Sequence, residues 1–205
     1  MEKQTGRLEA FSDGIFGVAI TLLAVEIGIK EFSGASNTGL WQKILEKWPE
    51  YFAYFNSFAT VLLIWMGHNQ VIKHLRASNH WIVLLNGFVL LLVVLFPYPT
   101  RMVGTFIFTD ARNTAIAFYA GFTGTITVSM YFLNLGIVYN KKLLLSPEKS
   151  LPWFRTMMRG QLLGILIYAV AVISAFYSPY ISLGITFFMW VFWAVKTQDN
   201  DEELV

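Results

Sequence analysis

Apolar residues in this chain gather in long charge-poor stretches instead of alternating with polar ones, which is the pattern of helices buried on every side. The stretches fall at about 8–29, 51–72, 81–96, 113–140, 158–177 and 179–195, near the roughly 17 to 25 residues that a helix needs to cross a bilayer. Their breaks are legible. Pro49 stands just ahead of the second stretch, as a helix-start residue does. Pro97-Tyr98-Pro99 is expected to stop the third, and Ser178-Pro179 makes the turn between the last two. The expected fold is all-α, a polytopic membrane protein with six transmembrane helices forming one domain over 1–205. The end of the chain, 196–205, reads as a short acidic tail.

Composition strengthens this reading. Of the 205 residues 56% are apolar, mean hydropathy is +0.54 and only 14% are charged, against about 25% in a typical soluble domain. The absence of cysteine excludes disulfides, thiolate metal sites and cysteine nucleophiles. A net charge of +2 is too small to mark a nucleic-acid partner. The basic residues instead report topology. With six spans, the side holding the N-terminus carries Lys3, Arg7, Lys73, Arg76, Lys141, Lys142, Lys149, Arg155, Arg159 and Lys196, ten in all. The opposite side carries five: Lys30, Lys43, Lys47, Arg101 and Arg112. By the positive-inside rule both termini, and the acidic tail, are cytoplasmic. Trp41, Trp48, Tyr51, Trp81, Tyr98, Trp153 and Tyr180 lie near predicted span ends, where aromatic belts anchor helices. Lys3 and Arg7 before an apolar run also resemble a secretory signal, with Ser33-Gly34-Ala35 as its cleavage site. Asp13 and Glu26 at the two ends of that run argue for a retained span.

Within the first span, Phe11, Ile15, Val18, Leu22, Val25 and Ile29 repeat at intervals of four and three and lie on one helix stripe, with Thr21 beside it. Ordinary helix packing explains such a stripe, and Thr21 can simply bond its own backbone. Asp13 lies about 9 Å along the axis from Arg7, and a carboxylate at that depth needs partners. Polar residues at similar depth are His68 and Asn69 on the second span, Asn86 on the third, Asn134 on the fourth and Gln161 on the fifth. The expectation is one polar layer that bonds Ser12 and Asp13 and fixes the first helix. A proton relay built from Asp13 and His68, serving a proton-coupled secondary transporter, is the alternative. The chain has no Gly-x-Ser-x-Gly elbow, no His-Glu-x-x-His and no phosphate-cradling glycine loop, so an enzyme is not expected. Gly121, Gly124, Gly160 and Gly164 suit close helix packing.

The run Arg7-x-x-x-Phe11-Ser12-Asp13, followed by an apolar helix containing Thr21, resembles the signature of the transmembrane protein 175 family of potassium channels. Trp65-x-x-His68, Asn86 and Phe96-Pro97-Tyr98-Pro99-Thr100 extend the likeness over the first half of the chain; the second half matches mainly in span number. The resemblance implies a potassium-preferring cation channel of the prokaryotic single-repeat form, a homotetramer in the inner membrane, with no re-entrant potassium filter. The chain has no Thr-Val-Gly-Tyr-Gly segment. It further implies that Val18, Leu22 and Val25 form apolar constriction layers, with Thr21 contributing to potassium preference. Val18 is smaller than the Ile or Leu expected at the tightest point. Ile15 and Glu26 are assigned to the pore mouths, where Glu26 raises local cation concentration or pairs with Lys30. Arg7, Ser12, Asp13, Trp65, His68, Asn69 and Asn86 are assigned to the structural polar network. Potassium passes transiently, and neither a fixed metal nor a cofactor is expected.

Overall fold

The structure is a computed structural model describing residues 5–25, 27 and 37–197; Glu26 and the acidic stretch 198–205 lie outside them. Among the described residues eight α-helices follow one another: α1 (Gly6–Val25), α2 (Asn37–Glu46), α3 (Trp48–Lys73), α4 (His80–Leu95), α5 (Pro97–Phe106), α6 (Arg112–Tyr139), α7 (Pro147–Ala175) and α8 (Pro179–Lys196). A 3-10 turn, Lys141–Leu143, follows α6. The described residues contain no strand, only an isolated antiparallel bridge between Leu75 and Leu144.

By length and composition α1, α4 continued through α5, α6, α7 and α8 are each apolar enough to cross a membrane. The 26-residue α3 is not among them, because Asn56, Ser57, Thr60, His68, Asn69 and Gln70 lower its hydropathy. All but Asn69 are buried, while Phe55, Leu62 and Met66 face outward.

Three boundaries differ from expectation. The Pro97-Tyr98-Pro99 run does end α4, but it also opens α5, since a proline in the first helical turn gives up an N–H that would have no intrahelical partner. The fifth apolar stretch was expected to begin near residue 158, yet α7 begins at Pro147 and runs through Pro152. Its first turns are polar, which hid them from a search for apolar residues. The amphipathic α2 was not expected at all; ten residues are too few for a span.

The helix α6 is the central post, packed against α4, α5, α7 and α8, whereas α1 lies at one edge against α3, α4 and α5. Glycines set the closest approaches. A Cβ built on Gly124 would lie 3.1 Å from Tyr168 on α7, and one on Gly164 would lie 2.8 Å from Trp193 on α8. Phe16, Ala19 and Leu23 insert the inner face of α1 into the core with Val89, Val93 and Phe96.

Candidate functional site

The N-terminal half of α1 is held by a directed chain of side-chain hydrogen bonds. Ser12 Oγ donates to the Leu8 carbonyl at 2.8 Å, as a buried helical serine can. Asn86 Nδ2 on α4 donates to Ser12 Oγ at 3.0 Å, and Asn86 Oδ1 lies 2.6 Å from His68 Nε2 on α3. With the amide oxygen as acceptor, Nε2 carries the hydrogen. Ser12 is 0%, His68 1% and Asn86 1% exposed, so each bond replaces one that water cannot supply. The Phe16 ring packs 5.3 Å from the imidazole. One turn away, Trp65 Nε1 donates to Asp13 Oδ1 at 2.8 Å, a bond to a carboxylate at the rim of the joint.

The expected single polar layer is two separate groups. Asn134 bonds Gln161 at 3.1 Å between α6 and α7, joined by no hydrogen bond to the Ser12 group. Arg7 is exposed and Asn69 half-buried, and neither takes part in the joint among the described residues. Asp13 and His68, the proposed relay pair, hydrogen-bond to Trp65 and Asn86 and not to each other. Sequence reading missed a third group altogether. Asn56 Nδ2 donates to Tyr119 Oη at 2.8 Å, Ser57 Oγ donates to the same oxygen at 3.2 Å, and Thr100 Oγ1 lies 2.7 Å from Ser57 Oγ. This knot ties α3, α5 and α6, and Asn56 inside an apolar stretch was the signal that could have found it.

The opposite face of α1 is bare. Phe11 is 61%, Val18 53%, Leu22 40% and Val25 75% exposed, and Thr21 is exposed with its hydroxyl donating to the Val18 carbonyl at 2.8 Å. Ile15 is half-buried against the core. Gly14 and Gly17 are also exposed, and a Cβ added at either meets nothing within 4 Å. Among the described residues no cluster of His, Cys, Asp or Glu can hold a metal.

At the far end of α3, His74 lies under Trp153, with ring centres 4.4 Å apart, and its Nδ1 is 3.0 Å from Ser150 Oγ on α7. Burial there lowers its pKa from the ordinary 6.5 to about 4.

Residues 7–97 match the family described as "Endosomal/lysosomal potassium channel TMEM175". A crystal structure of a lysosomal potassium-selective channel TMEM175 homolog from Chamaesiphon minutus superposes with a TM-score of 0.84 at 28% identity, covering 95% of this chain and 98% of that one. The first half of the chain thus matches the TMEM175 family, and the fold as a whole is similar to that of a solved homolog. Potassium channel Cha6605_3372 of Chamaesiphon minutus is 29% identical over 96% of each chain. The human endosomal/lysosomal proton channel TMEM175 is 38% identical over an alignment of 90 positions that covers 39% of this chain and 17% of that protein. The family and these relatives are named for ion conduction, not for enzymatic activity. The TMEM175 match covers every residue of the Ser12–Asn86–His68 joint and the Trp65–Asp13 bond, and ends at the start of α5.

Proposed function

We propose that the protein is a potassium-preferring cation channel in which four copies surround a pore lined by α1. The observation that carries this reading is the division of α1 into an inner face fastened through Ser12 and Phe16 and an outer face left bare within the subunit. In four copies, Val18, Leu22 and Val25 become apolar rings, and an ion passes only by shedding or distorting its water shell. Potassium gives up water more readily than sodium, and Thr21 hydroxyls beside the rings replace part of what is lost. Ile15 and Glu26 are assigned to the two pore mouths. The joint acts as a mount: it fixes the rotation of α1 about its own axis, and with it the residues that meet the ion.

The membrane reading uses α3 as the sixth span. At about 1.5 Å per residue it is about 39 Å long, and its polar side chains turn inward. The basic residues then place both termini in the cytoplasm, as one six-span unit in the inner membrane of a prokaryote.

Purified protein in a planar bilayer under opposed potassium and sodium gradients should give unitary steps reversing toward the potassium equilibrium potential. Reversal that follows a pH gradient instead would assign proton conduction, the property in the human relative's name. Slow, saturable, pH-coupled flux without steps would establish a transporter, despite the separate partners of Asp13 and His68.

A further inference from the structure

On the membrane reading above, we propose that the rim joining α3, α6 and α7 is a binding site for an anionic phospholipid headgroup. The segment after α3 and the segment after α6 are clamped together. Arg76 N donates to the Leu143 carbonyl at 2.9 Å and Leu145 N to the His74 carbonyl at 3.0 Å. Leu75 and Leu144, 0% and 2% exposed, pin this bridge to the core, and the His74–Ser150 contact fastens it to the first turn of α7. The clamp therefore sets three cations on a rigid mount, within two residues of a shared backbone hydrogen bond: exposed Arg76, Lys141 and Lys142. Free loops would spread such charges apart, since they repel each other.

The surroundings fit a lipid. Tyr139, the last residue of α6, is 81% exposed and Leu145 is 46% exposed, so an aromatic ring and an apolar side chain flank the cations. Aromatic rings at a span end sit at headgroup level, and juxtamembrane Lys/Arg clusters attract anionic lipid. The planar guanidinium of Arg76 can grip two phosphate oxygens while the two ammonium groups supply point charges. In the segment from Asn140 to Ser150, Glu148 is the one carboxylate opposing them.

Native mass spectrometry of the purified full chain, titrated with phosphatidylglycerol or phosphatidylcholine, tests the site without measuring current. A failed channel reading and a failed lipid site therefore give different results. Phosphatidylglycerol should be retained over phosphatidylcholine, and binding should weaken by about tenfold or more in Arg76→Gln/Lys141→Gln/Lys142→Gln. Lys142→Glu alone should weaken it too, whereas Arg112→Gln, on the other rim, should leave it unchanged. Equal retention of both lipids, or full binding by the triple variant, overturns the proposal. Displacement of the lipid by equimolar inorganic phosphate overturns it in favour of a free-anion site. Binding seen only after removal of residues 198–205 overturns it in favour of the chain's own acidic tail as occupant.

Discussion

The helices α1 and α8 are buried to the same extent, 22% over the most apolar window of each, yet they leave opposite kinds of surface exposed. On α8 the outward residues are Tyr180, Ile181, Phe187, Phe188, Val191 and Val195, bulky side chains that lipid tails solvate well, with Ala194 the one small residue among them. On α1 they include Ala10, Gly14, Gly17, Thr21 and Ala24 among the larger residues. Small residues on a membrane helix let another backbone approach, whereas lipid gains nothing from them. On the proposed reading equal exposure thus has two meanings: α8 faces the bilayer, and α1 faces protein or a water-filled axis.

The sharpest way to break this contrast uses glycine. Neither Gly17 on α1 nor Gly184 on α8 has anything within 4 Å of an added Cβ, so a side chain can begin at either position without a clash in the isolated subunit. Gly17→Leu should abolish the proposed tetramer and its current, while Gly184→Leu should be neutral or gain about 0.5–1 kcal/mol in helix propensity. Crosslinking and bilayer recording read both; equal tolerance would remove the distinction. Next in size, Val18→Asn should raise leak or unitary conductance by about tenfold, because a polar ring holds water at the constriction, and Val191→Ala should leave currents within error. Unaltered currents in the Val18 variant would count heavily against the pore assignment.

A smaller effect tests the mount. Asn86→Leu strands Ser12 and His68 and should destabilise the fold by about 1–3 kcal/mol, read as a lower melting temperature in detergent, with selectivity blurred as α1 rotates more freely. The smallest effect should be confined to the rim. His74 is held neutral in the folded protein, with a pKa depressed to about 4, so its contribution is present above pH 6.5 and lost as pH falls toward 4. Protection of the Arg76 and Leu145 amides, taken relative to the intrinsic exchange rate at each pH, should fall over that window, and the change should vanish in His74→Gln.

The parts of the fold that the sequence discloses are those ruled by one strong cost. A polar group inside an apolar run must find a partner, so Ser12, His68 and Asn86 could be singled out before their bonds were known. The same rule applied to Asn56 and Ser57 would have located the Tyr119 knot. What stayed hidden depends on geometry that spacing does not encode: that Asn134 and Gln161 pair separately, that Arg7 points outward, and that Pro97 opens a helix while ending another. The amphipathic α2 and the polar start of α7 escaped because a search for bilayer-length apolar runs is blind to both.

The direction of the bonds in the joint has one more consequence. From the imidazole through the amide and hydroxyl to the Leu8 carbonyl, every hydrogen points the same way, so the ring enters the chain as a donor through Nε2. An imidazolium also donates through Nε2, and its extra proton sits on the other nitrogen. The bond pattern of the joint is therefore the same whether or not Nδ1 of His68 carries a proton.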